Sequence, residues 1–470
     1  MRVNAYQASV TAGAGGYAAF LARKADYGSR AGFEPLWMPD VLFDFQRALA
    51  TWAIQMGRAG IFADCGMGKT LMYLVWAENV LRKTNRPVLV LTPLAVSGQT
   101  LQEAHKFGIE ARRADGADNP RLVQVTNYEK LHWFNAGDYG GVVCDESSIL
   151  KNFDGYYRAA ITEFMRTVPY RLLCTATAAP NDWIELGTSS ETLGYLGHMD
   201  MLTRFFTRRQ TYARSDRSEG RREWQLRGHG EEPFWRWVAS WARAARRPSD
   251  LGFDDDGFIL PPLVERRTLV TANTPPSGML FDVPAVTFHE EREVTRRTIQ
   301  ERCEAAAAKV AEHDVSMVWC HLNAEAEALR AFIPGSVEIS GSDPDEKKEE
   351  AAHWFCEGPE QRRVLISKPR IFGFGMNFQH CAHMTYFPTH SYEQYYQATR
   401  RLWRFGQRRP VTVDLIYTDG GGPMLDNLAR KAGAADAMFD DLISYMHRAV
   451  RVQSEYRSVS VEVPTWIATS

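Results

Sequence analysis

Ile61-Phe62-Ala63-Asp64-Cys65-Gly66-Met67-Gly68-Lys69-Thr70 is the stretch on which the fold turns. It opens as a short apolar strand and passes into a helical run, Thr70-Leu71-Met72-Tyr73-Leu74-Val75-Trp76. Two glycines lie in the loop between them. Glycine lets the backbone come close to a phosphate, and the loop N–H groups and the helix N-terminus then face negative charge. In a G-x4-G-K-[ST] loop, Lys69 reaches the β- and γ-phosphates and the Thr70 hydroxyl ligates Mg²⁺. Ala63 stands where the first glycine of that pattern would be. The plainer alternative is a tight strand-to-helix turn with a surface lysine. The strand before and the helix after favour the triphosphate.

Outward from this loop, strand and helix patterns alternate. Val88–Leu91, Leu122–Val125, Gly141–Cys144 and Arg171–Cys174 read as buried strands. Each ends in a polar cluster: Thr92-Pro93, Thr126-Asn127-Tyr128, Asp145-Glu146 and Thr175-Ala176-Thr177. Short apolar strands separated by helical stretches predict a parallel sheet with helices on both faces. Ligands of such sheets sit beyond the carboxyl ends of the strands, where these clusters and the loop all fall. A second alternating block, without a phosphate loop, begins at Ser316–Cys320 and continues through Arg363–Ser367, His383–Phe387 and Val411–Ile416. The expected fold is therefore α/β with two lobes. The expected division is an N-terminal extension over 1–34, with a short helix near Tyr17–Ala25, and a first lobe over 35–190. A mostly helical insertion and linker follows over 191–312, then a second lobe over 313–455 and a tail over 456–470.

Composition bounds the function. The chain has 470 residues, 45% apolar and 24% charged, with a net charge of −2. Bulk charge therefore does not advertise a nucleic-acid surface, and any such surface must be local. One local excess stands out: residues 204–247 hold twelve Arg, no Lys and five acids, a balance of +7. It could face phosphates or be a solvated helical face. Seven scattered cysteines without a CxxC pair indicate neither a disulfide framework nor a zinc ribbon. No apolar run is long enough to span a membrane, so a cytoplasmic protein is expected. His380, Cys381 and His383 resemble metal ligands, but no second ligand pair lies near them.

Two further clusters carry chemistry. An Asp at the end of a strand in a phosphate-loop lobe positions Mg²⁺, which falls to Asp145. The adjacent Glu146 can orient and deprotonate the attacking water; alone, the pair would read as a helix cap. In Gln397-Ala398-Thr399-Arg400-Arg401-Leu402-Trp403-Arg404-Phe405-Gly406-Gln407, Arg401 and Arg404 are three apart and share a helix face. Arginine forks suit a transferring phosphoryl group. For an isolated pair, a basic solvent-facing helix would be the better reading.

Together these residues resemble superfamily 2 helicases, and within them the Swi2/Snf2-like DNA translocases. Gln46 in Leu42-Phe43-Asp44-Phe45-Gln46 matches the adenine-reading glutamine. Ala63–Thr70 matches A-x-x-G-x-G-K-T, which accounts for the missing first glycine. Thr92-Pro93-Leu94, Asn127-Tyr128-Glu129 and Asp145-Glu146-Ser147-Ser148 resemble motifs Ia, Ib and II. Thr175–Asn181 is similar to motif III, Gly341-Ser342 to a second-lobe G-S, Ser367 with Gly373–Phe378 to motif V, and 397–407 to motif VI. Arg246-Arg247 followed by Leu260–Glu265 is similar to a further Snf2 stretch. The likeness runs in order over about 40–450.

The resemblance implies two tandem RecA-like domains with ATP and Mg²⁺ in the cleft. Nucleotide contacts would come from Gln46, Gly66, Met67, Gly68, Lys69 and Thr70, with Gly375 and Asn377 from the second lobe. Mg²⁺ would sit on Thr70 and Asp145, and the catalytic set would be Lys69, Asp145, Glu146, Arg401 and Arg404. The track would be DNA, touched by Pro93, Tyr128, Thr177, His321, Ser367 and Lys368. Proteins of replication, recombination or repair would be partners. The compact length is similar to phage-encoded members, which would place the chain in a host cytoplasm. Phe33 or Trp37 would stack on adenine or pack in the core. Three departures stand: Ser147-Ser148 where the family has a histidine that couples motifs II and III, Gly373-Phe374 for Gly-Gly, and one extra residue between Thr177 and Pro180. They leave room for a nucleotide-gated binding module without motor activity; an RNA-dependent ATPase is the other alternative.

Overall fold

The computed structural model describes residues 31–116, 120–151, 155–179, 182–211, 221–271, 288–372, 377–418 and 421–458. The expected helix near Tyr17–Ala25, Gly375 and the end of motif III at Pro180-Asn181 lie outside the described residues.

In lobe one the helix α1 (Asp44–Met56) leads into strand β1 (Arg58–Ala63), the phosphate loop and α2 (Lys69–Thr84). Gln46 closes the first turn of α1 by accepting the Phe43 N–H at 3.1 Å, one of the donors a helix start otherwise leaves open. Helix α2 starts from Gly68, ends on Asn85 in the left-handed region, and carries Arg82 and Lys83 in its last turn, where cations suit the helix dipole. The strands that follow are β2 (Val88–Thr92), β3 (Ala111–Arg113), β4 (Val123–Asn127), β5 (Gly141–Asp145) and β6 (Tyr170–Cys174). Strands β2, β4 and β5 are buried throughout, as a sheet covered on both faces demands. The sheet is parallel, in the order β3-β4-β2-β5-β6-β1, with one further strand beyond β1.

Residues 191–312 are helical in part, but they are also shared between the lobes. Strands β7 (Phe206–Thr211) and β8 (Arg221–Leu226) form an antiparallel hairpin within the arginine-rich stretch. Helix α3 (Glu231–Trp241) buries Phe234, Trp235, Trp237 and Trp241 in the lobe-one core. Strand β9 (Ala242–Ala245) then adds to the edge of the lobe-one sheet beside β1. Strand β10 (Leu263–Val270) pairs with lobe two instead. Both strands escape a sequence reading for a physical reason: β9 is four residues with an arginine in it, and β10 has the polar run Glu265-Arg266-Arg267-Thr268 in its middle.

Lobe two continues through α4 (Phe288–Arg297), α5 (Ile299–Val310), β11 (Val315–Trp319), α6 (Asn323–Phe332), β12 (Val337–Ile339), β13 (Arg363–Ser367), β14 (His383–Tyr386), α7 (Tyr392–Leu402) and β15 (Val411–Thr418). Its parallel sheet has the order β10-β15-β14-β11-β13-β12. Two parallel sheets flanked by helices are the arrangement of tandem RecA-like domains. His383, one of the three residues that resembled metal ligands, is instead buried between Ser316 at 2.8 Å and Asp414 at 3.0 Å.

The last helix, α8 (Gly422–Ser458), leaves lobe two and returns to lobe one. Met438, Phe439, Leu442 and Met446 enter the lobe-one core. Met446 Sδ accepts the Ala244 N–H at 3.1 Å, and Arg246 pairs with Asp436 at 3.4 Å and with Asp440. Among the described residues no helix is long and apolar enough to cross a membrane. Leu442 is 1% exposed, so Leu442→Ala is expected to cost about 2–4 kcal/mol in chemical denaturation. A loss below about 1 kcal/mol would show that α8 rests on lobe one without being part of its core.

Candidate active site

The carboxyl ends of β1, β5 and β6 bring the first half of the site together. Gly66 and Gly68 have φ of +90° and +76°, a conformation that side chains rarely adopt. Space also demands glycine. A Cβ on Gly68 would collide with Gln46 Nε2, and one on Gly66 would lie 2.9 Å from the Phe405 amide nitrogen of lobe two. Gln46 is buried and donates to Met67 O at 3.0 Å. Lys69 Nζ lies inside the loop, donating to Ala63 O at 2.8 Å and Asp64 O at 3.3 Å.

Asp145, at the end of β5, is 5% exposed. Its Oδ1 accepts the Glu146 N–H at 3.0 Å, and its Oδ2 lies 3.5 Å from the Tyr73 hydroxyl. Burial first, and then the neighbouring Glu146, push its pKa up to about 7 against the opposing pull of Lys69. The Tyr73 phenol is itself driven upward by burial and by Asp145, and Thr70 lies within its hydrogen-bonding reach. A carboxylate held this far from comfort and a helix-start hydroxyl grouped around one phenol fit a hard divalent cation that takes oxygen ligands.

Glu146 has φ of +52°. A non-glycine residue in that region is strained, and such strain gathers at functional sites. Its Oε2 accepts from Thr175 Oγ1 at 3.5 Å, and Thr175 Oγ1 in turn accepts the Thr177 N–H at 3.0 Å. A direct link between the β5 and β6 ends therefore exists with serines at 147 and 148, both of them buried.

Helix α7 of lobe two supplies the other half. The sequence singled out Arg401 and Arg404, but Arg400 makes an ion pair across the cleft. Its Nη2 lies 2.8 Å from Asp64 Oδ2 and donates to Cys65 O at 2.7 Å. Tyr396 OH donates to the other Asp64 oxygen. Arg401 is folded back on its own helix, with Nη2 on Gln397 Oε1 at 2.8 Å and Nε on Gln397 O at 3.2 Å. Arg404 is half-buried, its Nε has no hydrogen-bond partner among the described residues, and its Cβ lies 3.6 Å from where a Cβ on Gly66 would be. Burial first, and then Arg401, bring its pKa down to about 10. It keeps its charge at neutral pH and holds an uncommitted donor next to the phosphate loop.

Of the two places open to Phe33 and Trp37, stacking on adenine or packing in the core, they take the core. Phe33 meets Tyr170 edge-on at 5.4 Å, and Trp37 carries Arg82 at 5.2 Å; both pack against the lobe-one core. The rings beside the loop are Phe43, Phe258 and Phe405. Phe258 stacks on Phe405 at 4.6 Å and meets Phe43 at 5.2 Å.

The six expected track residues do not converge. Pro93 and Tyr128 line a groove between the lobes of about 480 Å³, but lobe two lines it with Gly341, Lys348 and Arg370. Ser367 is buried and donates to Ile339 O at 3.0 Å, His321 Nε2 pairs with Phe387 O at 2.9 Å, and Lys368 holds Asn323. Thr177 is buried and lines a cavity behind the phosphate loop. Asn377 is exposed, and its carbonyl lies 3.7 Å from Cys356 Sγ. Lys348 and Arg370 each lie beside a stretch that the sequence marked, Gly341-Ser342 and Ser367-Lys368. The ion pair Lys151–Glu393 also crosses between lobes.

No protein-family model and no curated protein matches the chain. Among solved structures it is similar to a Sulfolobus solfataricus SWI2/SNF2 ATPase core in complex with dsDNA, at 16% identity and a TM-score of 0.41. The likeness covers 82% of this chain and 90% of that one. A likeness at that level says nothing of activity.

The raised Asp145 pKa has a sign. Proton binding to the buried carboxyl stabilises the fold at low pH, and that stability is lost as pH rises toward about 7. A cation that pairs with the ionised form reverses the loss. Mg²⁺ with nucleotide is therefore expected to raise the unfolding temperature more at about pH 8 than at about pH 6, with Asp145→Asn removing the difference. Equal gains at both pH values would contradict this role for Asp145.

Proposed function

We propose that the chain is an ATP hydrolase that couples turnover in its inter-lobe cleft to movement on DNA. The observation that carries this reading is the seating of residues 400–405 of lobe two on the phosphate loop of lobe one. Arg400 holds Asp64 and Cys65 O, and Gly66 meets the Phe405 backbone. A lone strand-to-helix turn would need neither contact.

In this reading the loop N–H groups, Lys69 and Thr70 hold the phosphates, and Gln46 with the Phe43–Phe258–Phe405 rings borders the base. Mg²⁺, when bound by Thr70 and Asp145, neutralises charge on the β- and γ-phosphates. Glu146 takes a proton from the attacking water, with Thr175 fixing its carboxylate. Arg404, beside Gly66, is the cation assigned to the charge that builds on the transferred group, a role worth about 10³–10⁵ in rate where such arginines act. Arg401 would have to leave Gln397 to join it. The groove lined by Pro93, Tyr128, Lys348 and Arg370 runs along the strand ends of both lobes and would take the nucleic acid. Contacts there are with backbone phosphate, so tracking is independent of base sequence and weakened by salt. DNA is favoured over RNA by the Snf2-like motif details, motif III and Arg246-Arg247 with Leu260–Glu265.

ATP turnover measured alone and with single-stranded, duplex and forked DNA and with RNA tests this. DNA is expected to stimulate turnover, and Lys69→Ala and Glu146→Gln to lower it by at least about 10²-fold. Arg370→Ala should weaken the DNA effect and lower its salt slope by about one. Wild-type turnover in either loop or motif II variant, or turnover that no DNA changes, would overturn the reading.

A further inference from the structure

Lobe two carries no phosphate loop, yet it has the place where open parallel sheets put their ligands. From β11 the chain goes to the edge strand β12, returns to β13 between them, and then crosses to β14 and β15 on the other side. Strand order therefore reverses between β11 and β14. Their carboxyl ends part into a crevice, and such switch points are where these sheets bind ligands. Here the crevice is a cavity of about 500 Å³, within the roughly 300–1,000 Å³ of small-molecule sites.

Its lining has three layers. The floor is apolar: Phe387 at the end of β14, Ile416 in β15 and Met424 in α8. Beside it lies a buried ion pair, Arg302 to Glu325 at 2.8 Å, with side chains 4% and 1% exposed. Arg302 also lies over the Phe387 ring at 4.7 Å and donates to Thr295 O at 2.6 Å. Glu325 accepts the N–H groups of His321 at 2.8 Å and Leu322 at 3.0 Å. The pair neutralises itself and ties the α4–α5 junction to the end of β11, so the walls are fixed before any ligand arrives. The rim is cationic. Arg292 and Arg296 are exposed and lie one turn apart on α4, on the same face.

A preformed apolar floor under two arginines suits a ligand that is flat and apolar at one end and a phosphate at the other. Arginine binds phosphate with a fork of donors, and aromatic or aliphatic side chains accept the face of a base. We propose that this crevice binds a nucleotide unit at a site separate from the phosphate loop, with the base against Phe387, Ile416 and Met424 and the phosphate at Arg292 and Arg296. The unit is either a free mononucleotide or one nucleotide of a single strand. Binding here needs no ATP turnover.

Calorimetric titration of the full chain, carrying Lys69→Ala to weaken the phosphate loop and with no other nucleotide present, tests the site. The probes are thymidine monophosphate, a short oligothymidylate and pyrophosphate. At least one thymidine probe is expected to bind, and the double variant Arg292→Ala/Arg296→Ala to weaken it about tenfold or more. Both arginines are exposed, so their loss leaves the fold intact. Met424→Trp, which fills the crevice and keeps its charge, should give the same loss. Monophosphate binding identifies a free nucleotide as the source; binding of the oligothymidylate alone identifies a strand. The proposal fails if neither thymidine probe binds, if pyrophosphate alone binds, or if the double variant binds as wild type does. Each of these results is independent of whether the wild-type chain hydrolyses ATP.

Discussion

Asp64 and Arg400 form a largely buried pair across the inter-lobe cleft, 2.8 Å apart with side chains 15% and 4% exposed. Taking two charges out of water is costly, and removing one partner of such a pair typically costs about 3–5 kcal/mol because the other is left uncompensated. Here the remaining bonding capacity is used as well. Tyr396 donates to the second Asp64 oxygen, and Arg400 reaches Cys65 O. The geometry fixes which residues of α7 meet the phosphate loop, and so fixes where Arg404 and Phe405 come to rest. The glycine at 66 follows from that seating, since a side chain there would press on the Phe405 backbone.

The same seat relates the cleft to the groove. The Tyr128 hydroxyl donates to the Asp145 carbonyl, so a groove residue is bonded to the strand end that carries the carboxylates. Lys151, just after that strand end, pairs with Glu393 at the start of α7. Thr175 joins Glu146 to the end of β6. These contacts give a continuous path from groove to loop to lobe two, and α8 returns across both lobes to lobe one. In the proposed function, that continuity lets a change at the phosphates shift lobe two along the groove.

Much of this fold was legible in the chain. The phosphate loop, the alternation of strands and helices and the polar clusters at strand ends are local patterns, and the two parallel sheets follow from them. What escaped was decided at long range. An Arg-Arg pair followed by Arg three residues on shows that arginines share a helix face, but the partner is 335 residues away in sequence, so Arg400 could not be told from Arg401. Ser367, His321 and Lys368 fall at strand ends as motif residues should, yet their side chains are taken up by Ile339, Phe387 and Asn323. Phe33 and Trp37 lie close before Gln46 in sequence, while the rings that border it include Phe258 and Phe405, brought from elsewhere by the closed cleft. The ends of β9 and β10 in different sheets are likewise a matter of tertiary pairing, since neither strand has a strong pattern of its own.

If the phosphate loop and α7 are one site in two halves, their contact residues must act as a unit. The direct measurement is a double-mutant cycle of Asp64→Ala and Arg400→Ala, read by DNA-stimulated ATP turnover. Residues that act together are non-additive. The double variant is predicted to be no slower than the worse single variant, with each single variant impaired. Losses that simply multiply would contradict the account, because they would mean that Asp64 and Arg400 serve the reaction separately.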